Sequence, residues 1–202
     1  SLQVMQDAPV IPVIVLNDVA HAVPMARALV AGGIRMLEVT LRTPQALACM
    51  EAIAKEVPGA VVGAGTVRSP QDAAAAVKAG ARFAVSPGYT PAVGQACKDL
   101  GLPLLPGVAT ATEAFAALEA GAHGLKLFPA EMMAPAAVKA LRAVLPSDTA
   151  LLPVGGITPD TLQAYRQAGA TGFGLGSALY ARGFTASQVS DNARAFVKAI
   201  RG

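Results

Sequence analysis

Short apolar, β-branched runs alternate along this chain with alanine-rich segments whose apolar positions recur at helical spacing. The runs cover residues 9–15, 34–41, 60–67, 83–87, 102–108, 124–129, 150–154 and 172–175. The helical segments cover 19–31, 44–56, 70–79, 91–100, 110–120, 135–145, 159–168 and 186–200. Thr43-Pro44, Ser69-Pro70, Thr90-Pro91 and Thr158-Pro159 mark helix starts, because proline suits the first helical position after a capping hydroxyl. Gly32-Gly33 ends the first helix in the manner of a C-cap. Strands alternating with helices imply a parallel sheet. Eight such units predict closure into an α/β (β/α)8 TIM barrel, since an open five-stranded sheet leaves a third of the chain without a place. No linker divides the chain. Residues 1–8 read as an N-terminal leader, and 9–202 as a single barrel domain.

Composition narrows this picture. Of 202 residues, 53% are hydrophobic and 4% aromatic, so the core is built from Ala, Val, Leu and Ile. Charged residues are 14%, below the usual quarter, which leaves apolar helix surface for a homo-oligomer to cover. The net charge is +3 without a basic run, so nucleic acid is not an expected partner. No run reaches the ~20 apolar residues of a membrane span, and no signal-peptide pattern opens the sequence. Cys49 and Cys97 stand far apart in helical segments, as small buried hydrophobes of a reduced, cytoplasmic protein.

Barrel chemistry sits at the C-terminal ends of the strands. In the sixth run, Lys126 stands among apolar residues and shares a strand face with Phe128. A lysine amine held in apolar surroundings favours its neutral, nucleophilic form and can condense with a carbonyl. A side chain snorkelling to solvent fits the same stretch. In the second run, Glu38, Thr40 and Arg42 alternate with Leu37, Val39 and Leu41, so the polar set points into the barrel. Lys126 is the one lysine, and Glu38 the one acid, expected mid-strand. A structural salt bridge is the alternative to a catalytic pair, but desolvation makes buried pairs an unreliable source of stability. Thr66, after Gly63-Ala-Gly65, offers a hydroxyl either to a substrate carboxylate or to a helix cap. Gly155-Gly156 and Gly176-Ser177 end the seventh and eighth runs, where barrels bind phosphate on backbone N–H groups. No His, Asp or Cys cluster has metal-ligand spacing, so neither metal nor other cofactor is expected.

Leu37-Glu-Val-Thr-Leu-Arg-Thr43, Gly63-Ala-Gly-Thr-Val67, Ser86-Pro-Gly88, Leu125-Lys-Leu-Phe-Pro-Ala-Glu131, Gly155-Gly-Ile157 and Gly176-Ser177 together resemble the 2-keto-3-deoxy-6-phosphogluconate aldolases, over nearly the whole chain. The resemblance implies a class I, Schiff-base aldolase, trimeric and cytosolic. Its substrates would be a phosphorylated sugar acid and pyruvate. It makes Lys126 the Schiff-base lysine and Glu38 the general acid/base. It gives Arg42 and Thr66 the pyruvyl carboxylate, Pro87 and Phe128 the pocket walls, and Gly155, Gly156, Gly176 and Ser177 the phosphate. One position departs: gluconate-type members carry Thr before the Gly-Gly pair, where this chain has Val154. Residues 110–114 and 139–148 are similar instead to the 6-phosphogalactonate branch, so C4 stereochemistry stays open, as does activity on 4-hydroxy-2-oxoglutarate. The rival reading is another phosphate-binding barrel, an isomerase or synthase, which needs no nucleophilic lysine.

Overall fold

A computed structural model describes residues 9–181 and 183–201, so the leader reading of 1–8 lies outside the described residues. Eight parallel strands run β1 Val10–Ile14, β2 Met36–Thr40, β3 Val61–Gly65, β4 Ala84–Ser86, β5 Leu104–Val108, β6 Leu125–Leu127, β7 Leu151–Pro153 and β8 Phe173–Leu175. Each pairs with its sequence neighbour, and β1 also pairs with β8. The β7–β8 seam is the thinnest part of the barrel. It is held by a single bridge between Val154 and Gly174, by the Thr171 and Gly172 amides, which donate to the Leu151 carbonyl, and by the Thr171 hydroxyl, which accepts from the Leu151 amide.

The helices are α1 Val19–Ala31, α2 Ala46–Glu56, α3 Pro70–Lys78, α4 Pro91–Asp99, α5 Ala111–Glu119, α6 Pro135–Val144, α7 Pro159–Gln167 and α8 Ala186–Arg201. A 3-10 turn, Ala130–Met132, follows β6. Most helix starts follow from capping chemistry. Asp18, Ser69, Thr90, Thr110 and Thr158 accept from backbone amides in the first turn, which satisfies donors a helix cannot pair internally. Ser69 with Asp72 and Thr110 with Glu113 complete reciprocal capping boxes. Thr43 is the exception. Its hydroxyl donates to the Leu16 carbonyl, and α2 starts at Ala46, two residues later than the Thr-Pro signal places it.

Two layers of core separate the site from the rest. Leu37, Val39, Ala64 and Leu125 pack outward against the helices. Ile11, Met36, Phe83, Val85, Leu105 and Leu152 form a separate plug inside the barrel. Gly63 makes room for this plug: a Cβ there would sit 2.4 Å from the Phe83 ring. The plug fills the half nearer the strand N-termini, so inward residues further along each strand, Glu38, Thr40 and Lys126 among them, rest on an apolar floor at the mouth.

Candidate active site

Strand register fixes where each site residue stands, and the charge of Lys126 is felt at Glu38. Glu38 lies beside Val13 of β1 and Gly63 of β3, and Lys126 lies between Gly107 of β5 and Leu152 of β7. Both polar side chains are buried, Glu38 at 2% exposure and Lys126 at 8%. Among the described residues they form no ion pair with each other, and the Glu38 Oε1 has no protein hydrogen-bond partner. Burial pushes the Glu38 carboxyl above its ordinary value of 4.5, while the nearby charges of Lys126 and Arg42 hold it back. A carboxyl set this way accepts and returns protons closer to neutrality than a solvated one.

The seat of that carboxyl is a missing side chain. A Cβ built on Gly65 would lie 2.1 Å from the Glu38 Oε1 and 2.7 Å from its Cδ. The glutamate therefore leans across to β3 and fills the space that any other residue at 65 would take. Lys126 is bounded by aromatic surface: its Nζ stands 4.6 Å from the centre of the Phe128 ring. Phe128 itself is half-exposed at the mouth, and its peptide bond to Pro129 is cis. The Tyr165 hydroxyl of α7 lies 3.1 Å from the carbonyl oxygens of Ala130 and Met133, and so fastens the turn that follows the lysine strand.

Thr66 has a φ of +59°, a backbone conformation a β-branched residue rarely adopts. Such strain persists only where the surrounding fold over-determines it, and it gathers at ligand sites. The cap of α3 is Ser69, so Thr66 has no capping role and is half-buried at the end of β3. Pro87 is exposed at the rim, with its carbonyl packed where a side chain on Gly107 would stand.

A cavity of about 1090 Å³ opens between the ends of β1 and β8 and includes Arg42, Gly176 and Ser177 in its wall. The structure thus places Arg42 with the Gly176-Ser177 turn as well as near Glu38. That turn is a single hydrogen-bonded one, with the Leu179 and Tyr180 amides donating to the Gly176 carbonyl. Gly155 and Gly156 both have positive φ, +114° and +62°, which keeps this loop to glycine. The Glu131 carboxylate rests against it, with Oε2 2.1 Å from where a Gly155 Cβ would be. Val154 points inward over Gly174, where a Cβ would meet its Cγ2 at 2.5 Å. Sequence reasoning missed the Gly65 seat, the Tyr165 fastening and the Glu131 contact. Only the first left a signal, the Gly-Ala-Gly spacing beside the glutamate strand.

The sequence pattern of the KDPG and KHG aldolases matches residues 2–195. The chain belongs to this aldolase family. Among its relatives, the KHG/KDPG aldolase of Escherichia coli K12 is 48% identical over 164 residues, 80% of this chain and 76% of that protein. The 2-dehydro-3-deoxy-6-phosphogalactonate aldolase of the same organism is 42% identical over 175 residues, 86% of this chain and 85% of that protein. A solved KDPG aldolase from Legionella pneumophila, with pyruvate captured as a covalent carbinolamine, superposes with a TM-score of 0.80. It is 35% identical, and the match covers 98% of this chain and 94% of that one. Both aldolase activity and the barrel are thereby established for the chain. Among the described residues no helix is long and apolar enough to cross a membrane.

Proposed function

We propose that this aldolase cleaves 2-dehydro-3-deoxy-6-phosphogluconate, or its C4 epimer, to pyruvate and glyceraldehyde 3-phosphate, with Lys126 as nucleophile and Glu38 as proton carrier. One observation carries the reading: a buried amine and a buried, unpaired carboxyl share the mouth of one barrel without bonding to each other.

Once the Lys126 ammonium has given up a proton, its free amine attacks the C2 carbonyl and gives a carbinolamine. Glu38 supplies the proton with which hydroxide leaves as water, and the iminium forms. The iminium draws in the electron pair of the breaking C3–C4 bond, so an enamine forms in place of a bare carbanion. Glu38 takes the C4 hydroxyl proton as the aldehyde leaves, and a proton then returns to C3. Water adds to the iminium and frees pyruvate and Lys126. One group serving opposite proton transfers works best with a pKa near the operating pH, which the upward shift of Glu38 favours.

Arg42 and Thr66 hold the pyruvyl carboxylate, and Phe128 and Pro87 wall the reacting carbons. The Gly155-Gly156 loop and the Gly176-Ser177 turn take the phosphate through backbone amides. Val154 faces C4. The working form is a homotrimer, in keeping with exposed apolar side chains such as Met132 and Val144. A reducing cytoplasm fits the two buried free thiols.

Pyruvate with borohydride should fix one reduced adduct on Lys126 and abolish turnover. An adduct on another lysine, or none, removes the assignment and favours an isomerase or synthase chemistry in the same barrel.

A further inference from the structure

Thr40 is the last residue of β2 and alternates inward with Met36 and Glu38. It is 1% exposed, and its hydroxyl has no hydrogen-bond partner from the protein. A buried hydroxyl without a partner forfeits its bonds to water, so its persistence inside a barrel needs a reason. Three other side-chain oxygens among the described residues share this condition: those of Ser86, Ser190 and Glu38. Ser86 follows the inward-facing Val85 and so points to the helix layer, and Ser190 lies on α8. Only Thr40 and Glu38 share the barrel interior.

Strand register brings these two oxygens to one level. Thr40 pairs directly with Gly65, and the Gly65 Cβ position is where the Glu38 carboxyl sits. Adjacent strands stand ~4.8 Å apart, so the leaning carboxyl ends beside the Thr40 side chain. The two oxygens are not bonded to each other and neither has another protein partner, so one bridging oxygen satisfies both. A hydroxyl donates one hydrogen and accepts others, whereas a carboxylate only accepts. Together they define a seat for a molecule with both functions.

We propose that Thr40 is a positioning residue for the base: its hydroxyl and the Glu38 carboxyl jointly hold the one water through which Glu38 exchanges protons with the substrate. The role rests on the aldolase reading of Lys126 and Glu38. In the carbon-protonating step, C3 of the enamine uses its π pair to take a proton from the water. The C=N bond re-forms as the nitrogen pair moves in, and the water regains a proton from protonated Glu38. Glu38 ends as a carboxylate, Thr40 is unchanged, and no other reactant is needed.

Exchange of the pyruvate methyl hydrogens in D2O, followed by NMR, reads this step without the full substrate. Thr40→Val keeps the shape and removes the hydroxyl. It should slow exchange by about 10- to 100-fold, within the range of one proton-transfer catalyst, and lower kcat similarly with little change in KM. Borohydride trapping of pyruvate on Lys126 should still go to completion, because imine capture by excess reductant tolerates a slow step. Thr40→Ser, which restores the hydroxyl, should return exchange to within a few-fold of wild type. Trapping intact in Thr40→Val with exchange at the wild-type rate overturns the role and leaves the aldolase reading standing. A Thr40→Ser variant as slow as Thr40→Val also overturns it, since packing rather than the hydroxyl would then matter. Absence of trapping in the wild-type protein removes both readings. Should Thr40→Val misfold by circular dichroism, the comparison of Thr40→Ser with Thr40→Ala decides on the same criteria.

Discussion

Glu38 shows how a single residue sets stability against function. Burial raises its pKa above 4.5 more strongly than Lys126 and Arg42 lower it. The folded protein therefore holds this proton more tightly than the unfolded chain. The contribution of the protonated carboxyl is fully present below pH 4.5 and is lost as pH rises through the raised folded value. Glu38→Gln removes that loss. Thermal unfolding should show the variant gaining on wild type between pH 4.5 and pH 8, with turnover down by about 10²–10⁴. A variant no more stable at pH 8 would mean that attraction to Lys126 and Arg42 outweighs the desolvation. At this scale the sequence announces Lys126 and Glu38 because charge inside an apolar run is conspicuous. It does not announce Glu131, a surface-type residue in an ordinary turn, whose contact with Gly155 depends on how β6 and β7 lie together.

At the scale of elements, hydrophobic period and capping chemistry locate nearly every strand and helix, because both are local properties of the chain. Ser69-Pro70 and Thr158-Pro159 start helices where the pattern says. Thr43-Pro44 misleads because a distant partner, the Leu16 carbonyl, captures the hydroxyl that would have capped α2. The β7–β8 seam is equally invisible in the sequence. Its single bridge turns Val154 inward at the mouth, beside the loop proposed to hold phosphate. Valine offers no hydrogen bond to a C4 hydroxyl, and threonine of nearly the same volume does. A site built to bond a hydroxyl discriminates more sharply than an apolar one. Val154→Thr should therefore raise the gluconate-to-galactonate ratio of kcat/KM, by about 10-fold for one net hydrogen bond of ~1.4 kcal/mol. Equal ratios in the two proteins would take C4 recognition away from this position.

For the whole molecule, the sparse charge and the exposed Met132, Val144 and Phe115 mark apolar surface that the isolated barrel leaves uncovered. Met132 is 84% exposed, on the turn directly after the lysine strand. Association that covers this turn would steady the site mouth along with the interface. Sedimentation equilibrium should return about three times the chain mass of 20.3 kDa, and a single-chain mass would remove the trimer. The barrel as a whole is legible from eight repeated units, whereas the partner surface is not, because an apolar residue on a helix reads the same facing a core or a neighbouring subunit.

Gly65 carries a further consequence. The base resides on β2, but the space it occupies belongs to β3. The two positions therefore work as a unit: a side chain at 65 would take the space of the Glu38 carboxyl, and a glycine at 65 leaves a hole without the glutamate. A change at either position alone disturbs the other, since the carboxyl and a side chain at 65 compete for one space. Anyone transplanting this chemistry to another barrel has to carry an omission on the adjoining strand along with the acid.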